Sequence, residues 1–402
     1  MTILVLKNYI INYPPDSDYI LKNESLMGGD FIAFYTGGKL ARLDRPNLYN
    51  FKIQRQIRKE ILKNYISPIK GELPFVYPPL VASFFSLFAF LKFDHAFYLW
   101  TFLSILISLS SLFILSYYIG ILTFRSFFLI LLSIFGFIPY SLDCLAGGQL
   151  STFAIFIFSF LFILIREKKF FCAGLLLSLG YYKPPLFLFF SIIAIFFLGK
   201  RFLFGCITGA FLLTVFSIWY TGFSGFLNYL SIASKYTYGQ ELMQGVKLPP
   251  ELGMGIFAII TTIAPSSDIA IFLFLLIFMI SLYVCFKIFI NQRASNQNFD
   301  LVYAFLLISS IGLSLQIINY DLSILLPAFL LLYKKFGNIE KYKFIILLLV
   351  CTFYFEWIFR KIEIFGFTIN LSSILFFLLI NFLCLSLLAS RKQNLNLIIP
   401  NL

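Results

Sequence analysis

The sequence predicts an all-α integral membrane protein: a polytopic bundle of about eleven transmembrane helices with short helices on its outer face. Three observations carry that prediction. Hydrophobic residues make up 60% of the 402 positions and charged residues 12%, where a soluble domain is about a quarter charged. The uncharged runs are too long, and too rich in Phe, Leu and Ile, for the alternating strands of a barrel. The basic residues behind the net charge of +13 gather in short loops between apolar runs, as membrane topology demands. That distribution sets nucleic acid aside as their partner.

Placing the basic loops REKK (166–169), GKR (199–201), the KIFINQR region (287–293), YKKFGNIEKYK (333–343) and RK (391–392) in the cytoplasm yields one consistent drawing. Spans run near 96–119, 126–142, 149–165, 202–220, 268–290, 343–356 and 367–388. The stretches 170–198 and 300–333 must each go out and come back, with apices at Tyr181 to Pro185 and Ile318 to Asp321. Arms of about 13 residues rise roughly 20 Å against a hydrocarbon core of about 30 Å, so some apices sit below the outer surface. The short apolar segments 80–91 and 253–264 follow Pro-Pro pairs and read as outer-face re-entrant or juxtamembrane helices. Residues 221–252 and the N-terminal region are external. Within the latter, 51–64 alternates Ile53, Ile57 and Ile61 with a basic face, the pattern of a helix lying flat in the headgroups. The chain thus divides into an N-terminal external region, 1–95, and a transmembrane bundle, 96–402.

This drawing brings the unusual polar motifs to one side: GGD (28–30), VYPP (76–79), GGQ (147–149), YKPP (182–185) and NYD (319–321). Ionisable residues at membrane depth are disfavoured and usually mark function. The single histidine, His95, sits in the polar stretch KFDH. It excludes a His-cluster metal site and argues against a Ser-His-Asp triad or a Cys-His pair. The six cysteines (144, 172, 206, 285, 351, 384) stand singly, without CxxC spacing, as packing residues. Neither GGDF nor GGQ opens a strand-turn-helix unit, so nucleotide-sugar binding is not expected. No cofactor is expected. Asp30, Asp143 and Asp321 could converge on a metal, but no ligand spacing demands one.

The order GGDFIAFY, LYNF, YPPL, GGQLSTF, AGLLLSLGYYKPPLFL and NYDLSILLP resembles glycosyltransferase family 87, over residues 28 to 335. These are integral membrane enzymes of the GT-C class, including polyprenol-phosphate-mannose-dependent α-mannosyltransferases. The resemblance implies a GT-C-like bundle in the plasma (inner) membrane with its active site on the external or periplasmic side. The partners it implies are a polyprenyl-phosphate-linked sugar, a lipid or glycan acceptor and membrane lipids. An aspartate in the first external loop of GT-C enzymes is the general base, and Asp30 stands at the matching position. The alternative is that Asp30 caps the helix after it, since Asp is a favoured N-cap.

Lys183, at an apex held by two prolines, is a point charge suited to the donor phosphate; ordinary snorkelling toward the interface would also explain it. Arg42 and Arg45 are weaker candidates for the same task. Tyr35, Tyr77, Gln149, Tyr320 and Asp321 are the substrate-binding candidates. Tyr77 also reads as a helix start before Pro78 and Pro79, Gln149 as the donor of a close-approach turn, and Asp321 as a residue that could instead hold its apex. Asp143 and Glu356 read equally well as structural. Relatives often carry a histidine near Asn319, and they usually begin with a transmembrane helix before the aspartate loop. Met1 to Gly29 holds no run near 18 apolar residues, so a first helix is expected upstream. The rival reading is a transporter or flippase of lipid-linked glycans, but the chain shows no clear internal repeat and its polar motifs share one side.

Overall fold

The computed structural model describes residues 28–62, 73–137, 139–235, 241–243, 246–247, 253–264, 267–292, 299–336, 361–364 and 367–370. The span predicted at 343–356, all of the span predicted at 367–388 beyond Asn370, Glu356, and the helix expected ahead of the aspartate loop lie outside them.

The described chain is built from helices. It opens with α1 (Phe31–Leu43) and α2 (Phe51–Leu62), then α3 (Pro79–Ser86), whose first residue is a proline. Pro suits that position because the N–H it lacks would have no partner there. Gly38 of α1 lets α3 come close, since a Cβ at that position would run into the Phe85 backbone. The amphipathic α2 turns Ile57 and Ile61 into a core shared with Phe31, Phe85 and Trp100. This corrects the expectation of a helix lying flat in the headgroups: its apolar stripe packs on protein, and the same periodicity serves either partner.

Next come α4 (Phe93–Tyr118), α5 (Phe124–Gly136), a π-helix at Pro139–Ala146, α6 (Ser151–Arg166), α7 (Phe170–Ser178), α8 (Pro184–Leu198) and α9 (Lys200–Lys235). The rest comprises α10 (Ile256–Ile263), α11 (Ser267–Gln292), α12 (Phe299–Gly312) and α13 (Leu325–Phe336). Among the described residues, Phe93–Tyr118, Lys200–Lys235 and Asp268–Lys287 are long and apolar enough to cross a membrane, and the pair Phe124–Gly136 and Pro139–Ala146 makes a fourth if counted as one bent span. Ser151–Arg166, Phe170–Tyr182, Pro184–Leu198 and Phe299–Gly312 are apolar but shorter. Among the described residues, full-length crossing is therefore met by three helices, or four with the bent pair, and the count of about eleven spans drawn from the sequence is not reached there. Both predicted hairpins are present, with apices in 3₁₀ turns at Leu179–Tyr182 and Asn319–Ile324.

Three boundaries differ from the sequence reading. The span placed at 126–142 bends by 53°, because Pro139 has no N–H to continue the ladder and its ring crowds the preceding turn. The segment 221–252 is not all loop. Helix α9 runs on to Lys235 past a break at Gly222 (φ 77°), since Tyr229 finds a ring partner in Tyr49 at 5.8 Å. A short antiparallel hairpin follows, β1 (Glu241–Met243) with β2 (Val246–Lys247). The span placed at 367–388 begins as strand: β3 (Lys361–Ile364) pairs with β4 (Phe367–Asn370) in antiparallel register, as the alternating KIEI and FTIN allow.

Two features position the upper end of the bundle. The Tyr140 hydroxyl lies 2.5 Å from Ser108 Oγ, 2.9 Å from Ser104 O and 3.0 Å from Thr152 Oγ1, all buried. It thereby fastens the π-helix to α4 and α6. Helices α7 and α9 meet through glycines: a Cβ on Gly174 would strike Phe202 O, and one on Gly205 would strike Phe171 O. Gly209 faces the Ser178 side chain in the same way, so Gly205 and Gly209 form a GxxxG seam that lets backbones touch. At the other end, Arg166 donates to Asp300 at 2.9 Å, Lys334 pairs with Asp300 at 2.7 Å, and the Tyr118 hydroxyl donates to Glu167 at 2.6 Å.

The seam carries α7 up to the Lys183 apex, so its disruption should be felt. Gly205→Leu is expected to cost about 1–3 kcal/mol by overpacking, measured as a lower thermal midpoint of the detergent-solubilised protein.

Candidate active site

The GGD and GGQ segments are clasped together by their backbones. Gly28 N–H donates to Ala146 O at 2.9 Å, and the Asp30 and Phe31 N–H groups both donate to Gly147 O, at 3.1 and 3.0 Å. Gly28 (φ 71°) and Gly148 (φ 78°) both adopt the left-handed conformation, which glycine enters without cost. A Cβ on either would also press on the Phe97 ring. Trp100 Nε1 donates to Gly148 O at 3.0 Å, tying the clasp to α4.

The clasp brings the Gln149 side chain to Asp30, with Nε2 donating to Oδ2 at 2.5 Å. Asp30 occupies the N-cap position of α1, yet its side chain makes no capping bond. The capping alternative therefore does not describe it. Asp30 is half-buried. Burial pushes its pKa up from the ordinary 3.8, while the Gln149 hydrogen bond and the Lys183 charge pull it back in part.

Lys183 stands on the neighbouring apex. Pro184 follows it, which keeps Lys183 out of the helical region (φ −138°, ψ 72°) and ends the 3₁₀ turn at Tyr182. The side chain does not snorkel. Lys183 is 7% exposed and Asp321 1%, and Nζ donates to Asp321 Oδ2 at 2.5 Å. The Tyr320 ring lies 4.7 Å below the ammonium. Asp321 Oδ2 also accepts from Ile318 N–H at 2.9 Å, so this carboxylate both holds its own apex and neutralises a buried cation. An ammonium has three donors; one is spent on Asp321, which leaves capacity for an anion.

The structure thus gathers Asp30, Gln149, Lys183, Tyr320 and Asp321 at one end of the bundle. The Arg166–Asp300–Lys334 cluster lies at the far ends of α6 and α13, about 24 Å away along the 16 residues of α6. Other candidates lie elsewhere in the fold. Arg42 donates to Ala89 O at 2.9 Å and stacks 3.4 Å from the Phe90 centroid. Arg45 bonds Ala41 O and faces the Tyr220 ring. Arg42 lies at the end of α1 remote from Asp30, about 18 Å along the helix, and Arg45 follows in the 3₁₀ turn Arg45–Asn47. Tyr35 is buried and donates to Leu91 O at 2.7 Å. The Tyr77 ring packs 4.9 Å from Phe34. Asp143 sits in the π-helix beneath Gly147. Among the described residues, no three His, Cys, Asp or Glu side chains gather as metal ligands.

Tyr182 was not selected from the sequence. Its hydroxyl donates to Leu150 O at 3.3 Å, and the residue lines an apolar cleft of about 560 Å³. The cleft passes between α4 and α6, lined by Val81, Ile107, Ile114, Phe153 and Phe160. Only its place next to Lys183 could have pointed to it.

A family model described as glycosyltransferase family 87 matches residues 75–314. The match takes in Gln149 and Lys183, while Asp30 precedes it and Asp321 follows it. No curated protein matches the chain, and no solved structure does.

The Lys183–Asp321 pair is a stability element as well as a site feature. Lys183→Met or Asp321→Leu alone should destabilise by about 3–5 kcal/mol, because each strands a buried charge. The double substitution should recover most of that loss. Thermal midpoints of the three variants in detergent check both statements.

Proposed function

Because the chain belongs to glycosyltransferase family 87, we propose that it transfers a hexose, mannose foremost, from a polyprenyl-phosphate donor to a lipid or glycan acceptor. The reaction takes place at the external or periplasmic face of the plasma membrane, with inversion at the anomeric carbon. Family membership makes the chain a glycosyltransferase, and the transporter reading falls with it. The observation that carries the finer proposal is that Asp30, half-buried, lies within the electrostatic reach of a buried cation, Lys183, at one end of an apolar bundle.

In this reading the acceptor hydroxyl oxygen attacks the anomeric carbon from the side opposite the phosphate. Asp30 takes the hydroxyl proton as the new C–O bond forms. The old C–O bond breaks, and its electron pair leaves with the polyprenyl phosphate. That leaving group is already stable as an anion, so no strong general acid is required. Lys183 holds the phosphate as a point charge, with Asp321 and Tyr320 fixing the ammonium. Attack opposite the leaving group converts a β-linked donor into an α-linked product.

Two further features support the reading. The cleft lined by Tyr182, the residue before Lys183, extends about 10 Å along α6 from Phe153 to Phe160 and is apolar enough for an isoprenoid chain. The basic residues at the helix ends of the bundle, among them Arg166, Lys200 and Lys334, gather at the opposite end, which the positive-inside rule assigns to the cytoplasm. The site then faces outward, where lipid-linked sugars rather than nucleotide sugars are the available donors.

The test is a release assay with purified protein in nanodiscs, polyprenyl-phosphate hexoses as donors and a membrane lipid extract as acceptor. Release of polyprenyl phosphate should require the acceptor, and Asp30→Asn should lower it by about 10²–10⁴-fold. Equal release by wild type and variant would discard Asp30 as base. The base works only when ionised, so kcat/KM should fall as pH drops through a pKa above 3.8. A limb at or below that value would contradict the buried setting.

A further inference from the structure

We infer that Gln149 is the positioning residue of the reaction: its amide fixes the Asp30 carboxylate through Oδ2 and leaves Oδ1 aimed at the acceptor hydroxyl. The inference rests on the reading of Asp30 as the base and adds to it the group that makes Asp30 effective.

The geometry points this way from several sides. Gln149 is 5% exposed, and its Nε2 lies 2.5 Å from Oδ2. The amide oxygen would be repelled there, so the nitrogen must face the carboxylate. Among the described residues no donor reaches Oδ1. The Gln149 backbone is fixed in turn: its N–H donates to Cys144 O at 2.8 Å, and the preceding Gly148 carbonyl is held by Trp100. The base and its holder are therefore joined twice, by the backbone clasp between GGD and GGQ and by the side-chain bond. A neutral amide suits this position. It orients the carboxylate and favours its ionised form without adding a charge that would compete with Lys183 for the phosphate.

The titratable groups on the surrounding elements are few. Lys183 acts on Asp30 from the adjacent apex. Asp321 is bonded to Lys183, and Tyr182 and Cys144 lie close enough to Asp321 to feel its charge. Asp143 is on the π-helix, and Asp94 in the first turn of α4 acts on Tyr35. Among the described residues the Gln149 side chain bonds Asp30 and none of these groups, so a moved titration reports Asp30.

Gln149→Met keeps the side-chain length and removes the donor; Gln149→Glu keeps the length and adds a second carboxylate. In the release assay, Gln149→Met should lower kcat by about 10–100-fold, with donor KM within about twofold. The acid limb of kcat/KM should move up by about one pH unit. Gln149→Glu should move that limb further up, because two carboxylates in contact share a proton. Limb position does not depend on how much of a preparation is folded, so a partly unstable variant still gives the answer. A lowered rate with the wild-type limb in both variants would overturn the proposal and leave Gln149 a packing residue, as would unchanged kinetics. Asp30→Asn is measured alongside. Retained transfer in that variant refutes the base itself. Lost transfer there, with Gln149→Met behaving as wild type, refutes only the positioning role.

Discussion

The buried ion pair between Lys183 and Asp321 is the constraint on which the rest of the site depends. Taking a cation and a carboxylate out of water costs several kcal/mol per ion, and an apolar bundle recovers that only when the two meet with good geometry. The sequence secures the meeting with local chemistry at each apex. Two prolines stop the turn before Lys183 and restart a helix after it, and an Ile318 N–H bond seats Asp321. Once the pair is formed, the starts of α8 and α13 are fixed relative to each other. The charge of Lys183 then bears on Asp30, which arrives from a different part of the chain on the GGD–GGQ clasp. Two glycine-built turns, the proline-built apex at Lys183 and the 3₁₀ apex at Asp321 thus converge on one small polar volume.

The two ends of the bundle divide their labour. At one end, Arg166, Asp300, Lys334, Tyr118 and Glu167 tie helix ends together with exposed or half-buried pairs, each worth little singly. At the other end the polar groups are few, largely buried and paired. The short helices that flank them keep them recessed: α6, α8 and α12 rise about 24, 22 and 21 Å, short of the about 30 Å of hydrocarbon. The apolar cleft lined by Tyr182 starts at that same end.

Much of this was legible in the sequence, and the reasons differ by element. Uncharged runs and basic loops located α4, α6, α11 and both hairpins, because burial in lipid leaves little freedom in composition. Proline pairs located the start of α3 and the Lys183 apex. Motif order located Asp30, Gln149, Lys183 and Asp321 as candidates. Their pairing was not legible, because Gln149 with Asp30 and Lys183 with Asp321 are joined over 119 and 138 residues and no local pattern encodes a partner that distant. The same limit explains α2, whose stripe could not say whether it met lipid or protein, and Arg42 and Arg45, whose nearness to Asp30 in sequence becomes distance along a helix. The GxxxG seam at Gly205 and Gly209 sat inside an apolar run and gave no polar signal.

The most direct test of the account is to locate the phosphate of bound polyprenyl phosphate, by solving the structure of the protein in nanodiscs with that product. The account places a phosphate oxygen within about 3 Å of Lys183 Nζ, with the chain entering the cleft beside Tyr182 and the Asp30 carboxylate facing the phosphate across the space left for the sugar. A phosphate held instead by Arg42 and Arg45, at the far end of α1, would separate the donor from Asp30 and contradict it.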